Sequence, residues 1–222
     1  MNTKEYLDFI DTRGPDSIEK TEIVGGITLS IKPGVWNPNK GKSTKMFLEL
    51  LKDYSLKNIS SVLDIGTGSG ILSLYLYKEG IKDIVATDYM DEALVNARKN
   101  IKLNNAQEIE VKKSDLFSSI DRKFDLIIFN APATHPLRQK VSRLLEPLWS
   151  PEENIRLRFL QSLSDFLSKN GKALLMYSKF DDYNPIPENM LKKFPFSYKI
   201  LKTNRGELSE SGIIEITHKN RK

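Results

Sequence analysis

The 222-residue chain is 39% hydrophobic and 28% charged, the balance of a single soluble globular domain with a full core. The lack of cysteine excludes disulfides and zinc–thiolate sites, two isolated histidines (His135 and His218) speak against a metal centre, and no 18-residue apolar run suits a membrane helix. A net charge of +5 with a pI near 9.1 permits an anionic partner without requiring one, and the mixed acidic and basic start, MNTKEYLDFIDTRG, is unlike a secretory signal, so a cytoplasmic protein is expected.

Residues 3–12 place Tyr6, Phe9 and Ile10 on one helical face. Ile23–Val24 and Ile27–Ile31 flank Gly25-Gly26, the pattern of a two-residue hairpin turn. The turn-rich segment PGVWNPNKGKST, residues 33–44, leads into a helix with Met46, Phe47, Leu50 and Leu51 inside and Ser43 or Thr44 as its N-cap. Its GKST imitates the end of a P-loop, but that motif needs glycine where Trp36 stands, and no buried strand precedes it, so an ATPase is excluded. The segment is either a loop with a helix cap or a lid beside the next feature.

That feature is SVLDIGTGSGILSL, residues 61–74. An apolar strand runs into glycines at alternate positions, Gly66, Gly68 and Gly70, and then into a helix carrying Ile71, Leu72, Leu74, Tyr75 and Leu76. Such a turn lets a ligand approach backbone N–H groups without meeting a Cβ. The spacing is G-x-G-x-G, unlike the G-x-G-x-x-G of dinucleotide folds, and Asp64 beside it would repel a pyrophosphate and suit a cationic or zwitterionic ligand. The stretch resembles motif I of the class I S-adenosylmethionine (SAM) methyltransferases. The resemblance implies SAM as cofactor, with Asp64, Gly66, Thr67, Gly68 and Gly70 at its methionine end.

Asp83–Thr87 reads as the second strand and ends at Asp88, 22 residues beyond Gly66, close to the spacing of about 20 at which such units carry a ribose-binding acid. Asp88, with neighbouring Tyr89, is therefore a cofactor candidate. Asp91 is expected to cap the following helix, whose buried stripe is Ala93, Leu94, Ala97 and Ile101 and which ends near Asn104-Asn105. Ile109–Lys113 is a third strand. The carboxylate of Asp115 just past it can accept the adenine amino group, and the Leu116 N–H can donate to a ring nitrogen. Phe124–Phe129 reads as a fourth strand whose Leu126–Phe129 run is continuously apolar, as a central parallel strand should be, and it runs into Asn130-Ala131-Pro132-Ala133.

This last stretch resembles motif IV of the amino-methyltransferases, commonly (Asn/Asp/Ser)-Pro-Pro-(Tyr/Phe). Together, VLDIGTGSG and SDLF…FDLIIFNAP are similar to the methyltransferases of release-factor glutamine, while GSGILSL and GIKDIVATD are similar to the ribosomal-protein L11 type. The resemblance spans residues 60–135. It implies that Asn130 and the Ala131 carbonyl accept hydrogen bonds from the target nitrogen and aim its lone pair at the methyl group. Asn130 and Pro132 match the motif; Ala131 and Ala133 depart from it, and the aromatic platform is missing at 133. His135, Trp36 and Trp149 are the candidates to replace it as platform or base.

Residues 134–149, with Arg138, Lys140 and Arg143 beside Leu144, Leu148 and Trp149, are an amphipathic lid or a solvated face. Ser150-Pro151-Glu152-Glu153 forms a capping box for a helix bearing Phe159, Leu160, Leu163 and Leu167 that stops at Asn170-Gly171. Lys172–Ser178 is a fifth strand, Pro187–Phe194 a short helix, and Tyr198–Thr203 with Ile213–His218 an antiparallel pair. The expectation is an α/β, Rossmann-like fold with a seven-stranded, mostly parallel sheet in the order 3-2-1-4-5-7-6 implied by the resemblance and helices on both faces. Residues 1–45 form an extension that walls part of the cleft, and 46–222 form the methyltransferase domain. The expected reaction is methyl transfer from SAM to nitrogen of a small-molecule substrate. The alternatives are a protein or RNA target of the translation machinery, an oxygen acceptor, or a SAM-binding module without chemistry. For substrate contact the candidates are Trp36, Asn130, Pro132, His135, Arg138 and Trp149. No metal and no membrane partner is expected.

Overall fold

The computed structural model describes residues 16–132, 155–180, 191–205 and 209–219. The helix expected over 3–12, the 134–149 segment, the capping box at 150–153 and the first half of the helix expected over 187–194 lie outside them.

A hairpin comes first, β1 (Lys20–Val24) and β2 (Ile27–Ile31), with Val24 opposite Ile27. Gly25 and Gly26 both take positive φ (57° and 73°), the requirement of a turn whose twist matches its strands. Then follow α1 (Lys42–Asp53), β3 (Ser61–Ile65), α2 (Ile71–Lys78), β4 (Asp83–Asp88), α3 (Asp91–Leu103), β5 (Glu110–Lys113), β6 (Phe124–Phe129), α4 (Ile155–Phe166), β7 (Leu167–Phe180), β8 (Phe196–Arg205) and β9 (Ser209–His218). The seven strands from β3 onward form one sheet in the order β5-β4-β3-β6-β7-β9-β8. Numbered within the sheet this is 3-2-1-4-5-7-6, the expected order. The five strands from β5 to β7 are mutually parallel, and β9 runs antiparallel to both of its neighbours.

Strand alternation sorts the core into two layers. On one face Val62, Ile84, Leu126 and Ile128 meet α1, α2 and the hairpin; on the other Leu63, Val85, Ile127 and Phe129 meet α4 and its neighbours. Phe159 of α4 lies 5.5 Å from Phe117 and 5.2 Å from Phe129, ring centre to ring centre, which seats this helix beside the tip of β6.

The hairpin is fastened to α3 by side-chain amides. Asn96, Asn100 and Asn104 recur every four residues and so share a helix face. Asn100 Oδ1 accepts the Ser30 N–H at 2.7 Å while its Nδ2 donates to the Ser30 carbonyl at 3.0 Å. Asn96 Oδ1 accepts the Lys32 N–H at 2.6 Å, and Asn104 Nδ2 donates to the Thr28 carbonyl at 2.9 Å. The helix thereby serves the outer edge of β2 as another strand would. The expected stripe of Ala93, Leu94, Ala97 and Ile101 is buried as read, but Asn96 and Asn100 are buried with it.

Several boundaries differ from expectation. The N-cap of α1 is Gly41, so Ser43 and Thr44 lie within the first turn. Trp36 packs on that glycine so closely that a Cβ there would stand 2.9 Å from the indole. Asp91 opens α3 as its first residue, and Met90 is the N-cap; Asp88 Oδ1 accepts the Met90 N–H at 3.1 Å. The third strand starts at Glu110. The helix α4 stops at Phe166, short of Asn170-Gly171, because Leu167 already pairs with Phe124 and Ser168 Oγ donates to Asp125 at 2.9 Å.

Candidate cofactor and acceptor site

The carboxyl ends of β3, β4, β5 and β6 lie side by side and are stitched to one another. Thr67 N–H donates to the Thr87 carbonyl at 2.8 Å, and Ser114 N–H to the Asp88 carbonyl at 2.9 Å. Gly68 N–H donates to the Asp88 carboxylate at 3.0 Å. Open α/β sheets bind ligands at this rim.

In the glycine turn, Gly68 (φ 54°) has a left-handed backbone and no heavy atom within 4 Å of where a Cβ would sit, so the turn offers bare peptide to the space above it. Asp64 lies underneath. It is buried, and its Oδ2 accepts from Thr67 Oγ1 at 2.7 Å and Ser73 Oγ at 2.6 Å. Burial pushes its carboxyl up to about 6 against the pull of those two hydroxyls. The carboxylate therefore clamps the turn to the start of α2.

Asp88 is buried at the end of β4, and burial raises its pKa in opposition to the N–H groups of Met90, Gly68 and Tyr89. The Tyr89 side chain stands exposed beside it. After β5 the backbone of Leu116 is forced into the left-handed region (φ 51°), unusual for a branched side chain, and Ser114 Oγ secures it by donating to the Leu116 carbonyl at 2.8 Å. Among the described residues nothing accepts from the Leu116 N–H. The Asp115 side chain is more than half exposed, and Arg158 Nη2 of α4 donates to its Oδ2 at 2.6 Å.

At the end of β6, Asn130 Nδ2 lies 3.4 Å from Thr44 Oγ1, which brings the first turn of α1 onto the motif. Ala131 is buried. The Pro132 carbonyl accepts from Arg156 Nη2 at 2.8 Å; this guanidinium is buried, and burial lowers its pKa to about 10. Trp36 is folded onto Gly41, the N-cap of the helix that carries Thr44. Ala133, His135, Arg138 and Trp149 lie outside the described residues.

The structure thus brings together Asp64, Gly66, Thr67, Gly68, Gly70, Asp88, Asp115, Leu116 and Asn130, with Asp64 facing the turn from below. In the sequence Thr44 stands as a candidate cap at the end of a segment read as a loop or a lid, and Arg156 and Arg158 do not stand out. An arginine pair at i and i+2 on a helix carries no signal of its own, because it acquires meaning only from the strand tips it reaches.

The rim offers a peptide N–H at Leu116, a buried carboxylate at Asp88 and bare peptide at the glycine turn. The chain also matches known proteins. Residues 26–148 match the ribosomal protein L11 methyltransferase (PrmA) family. A ribosomal protein L11 methyltransferase of Lactobacillus johnsonii is 34% identical over 146 residues, covering 66% of this chain and 40% of that protein. A relative from Methanocaldococcus jannaschii named as a protein N5-glutamine methyltransferase is 31% identical over 181 residues, 80% of this chain and 87% of that one. Among solved structures, the ribosomal protein L11 methylase of Lactobacillus delbrueckii subsp. bulgaricus superposes with a TM-score of 0.61 at 26% identity, covering 84% of each chain. The chain spans about two fifths of the length of the L. johnsonii enzyme and most of the M. jannaschii protein.

Proposed function

The chain belongs to the ribosomal protein L11 methyltransferase family, and from that premise we propose that it transfers a methyl group from SAM to a side-chain nitrogen of a protein of the translation machinery. SAM supplies a methyl on a sulfonium that is already a good leaving group, so the protein's part is binding, in-line positioning and exclusion of water. The residues at the rim fit that cofactor. Asp88 offers carboxylate lone pairs to the ribose hydroxyls and Asp115 to the adenine amino group, while the Leu116 N–H donates to a ring nitrogen. The bare peptides of the turn hold the methionine end, with Asp64 acting through the turn it clamps.

Asn130 and the Ala131 carbonyl hold the target nitrogen by accepting its N–H groups, and Thr44 fixes the Asn130 amide. In this reading residues 1–45 wall the acceptor cleft, since Thr44 sits beside the motif and Trp36 packs on Gly41, the N-cap of the same helix. The names of the relatives, a ribosomal protein and a glutamine side chain, favour a protein over the small molecule expected first from the sequence. The observation that carries the reading is the junction of glycine turn and Asp88 through the Gly68 N–H, with Asn130 on the adjoining strand tip.

The test is tritium transfer from methyl-labelled SAM to recombinant ribosomal protein L11, a release factor and bulk tRNA, followed by protease and nuclease digestion. Label released only by protease supports the proposal. Label in the tRNA, or none in any of the three, overturns the acceptor class.

A further inference from the structure

The helix that follows the acceptor motif in the chain reaches back to the opposite end of the rim. Arg158 of α4 donates to Asp115 Oδ2 at 2.6 Å, and Arg156, two residues earlier, donates to the Pro132 carbonyl at 2.8 Å. The second bond is part-buried and charge-assisted, so it pins the first turn of α4 just past the tip of β6; Phe159 against Phe117 and Phe129 holds the next turn. The guanidinium of Arg158 is therefore presented from a fixed backbone to a carboxylate that is otherwise exposed on a loop. That loop is itself set by the left-handed Leu116 and by Ser118 Oγ, which accepts the Asp115 N–H at 3.0 Å.

We propose that Arg158 is a positioning residue of the cofactor site: by holding one oxygen of Asp115, it turns the remaining lone pairs toward the adenine amino group and so sharpens recognition of the base. This rests on the SAM-binding reading above. A carboxylate of this exposure rotates freely about its side-chain bonds when alone, and fixing it lowers the ordering that binding requires. The ion pair is exposed on both sides, so its effect is small, but it falls on one identified hydrogen bond.

Two ligands separate this role from general stabilisation. S-adenosylhomocysteine carries the adenine amino group; S-inosylhomocysteine carries an oxygen in its place. By calorimetry on the full chain, Arg158→Met should weaken S-adenosylhomocysteine about three- to fivefold, as expected of one exposed ion pair. It should reduce preference for adenine over hypoxanthine by a similar factor. Arg158→Lys should restore part of both, and Arg158→Met should add nothing to the loss of base preference in Asp115→Asn, because the proposed effect on the base runs through that carboxylate. Unchanged affinity and preference in Arg158→Met, alongside a loss in Asp115→Asn, overturn the role of Arg158 while leaving the site assignment standing. No effect of Asp115→Asn itself overturns the assignment of the adenine end, and this inference with it.

Discussion

The Gly68 N–H and the Asp88 carboxylate lie 3.0 Å apart, so the glycine turn and the tip of β4 form one unit. Substituting Asp88 removes a ligand group and also frees the turn that shapes the rest of the pocket. Asp88→Ala should weaken S-adenosylhomocysteine at least about tenfold by calorimetry, the scale of a lost charged acceptor. Burial raises the Asp88 carboxyl, and the charged form is the one that accepts hydroxyls, so affinity should fall on acidification sooner than for an ordinary aspartate. Unchanged affinity in Asp88→Ala would remove it from the site.

The buried Asp64 makes stability depend on pH. Its carboxyl is raised to about 6 from an ordinary 3.8, so between those values the native protein keeps a proton the unfolded chain has released. The stabilising contribution is full below about pH 4 and is lost as pH climbs through about 6, in total about 3 kcal/mol. Urea midpoints should fall across that window in the parent protein and stay flatter in Asp64→Asn. Parallel curves would refute the buried titration.

Asn130 is expected to act on the acceptor more than on the cofactor. With a protein that accepts label, Asn130→Ala should lower turnover at least about tenfold, the cost of losing orientation of the nucleophile, with a much smaller change in S-adenosylhomocysteine affinity. Thr44→Val, which removes the contact at 3.4 Å, should give a milder loss of the same kind. Equal losses of turnover and affinity in Asn130→Ala would reassign it to cofactor binding alone.

Asn100 joins the hairpin to the glycine turn, since its Nδ2 also donates to the Ser69 carbonyl at 2.9 Å. Asn100→Ala leaves buried partners at Ser30 and Ser69 without their amide and should cost about 2 to 3 kcal/mol in urea denaturation. It should also weaken S-adenosylhomocysteine, because Ser69 belongs to the turn. A destabilised variant with full affinity would show that the turn keeps its shape without this amide.

Much of the sheet was legible because its signals are local. Val62, Leu63 and Ile65 followed by three glycines mark a strand and a tight turn wherever they occur, and the apolar run Leu126–Phe129 marks a strand covered on both faces. Asp88 was legible by its distance from Gly66. The side-chain partnerships were not. Asn96 and Asn100 look like ordinary polar residues of a helix until β2 lies against them, and Ser43 and Thr44 suit an N-cap equally well until Trp36 settles on Gly41. Asp64 reads as a strand-tip acid and is found below the turn, because the hydroxyls of Thr67 and Ser73 converge on it from residues that propensity alone does not distinguish.

The amide ladder of α3 bears on how the polypeptide is made. An isolated two-stranded hairpin is marginal in water, and here its partner groups lie about 70 residues downstream. During synthesis β1 and β2 leave the ribosome long before Asn96 and Asn100 exist, so the hairpin consolidates late, after α3 has been translated and wound. An earlier segment of the chain is thus locked in place by a later one.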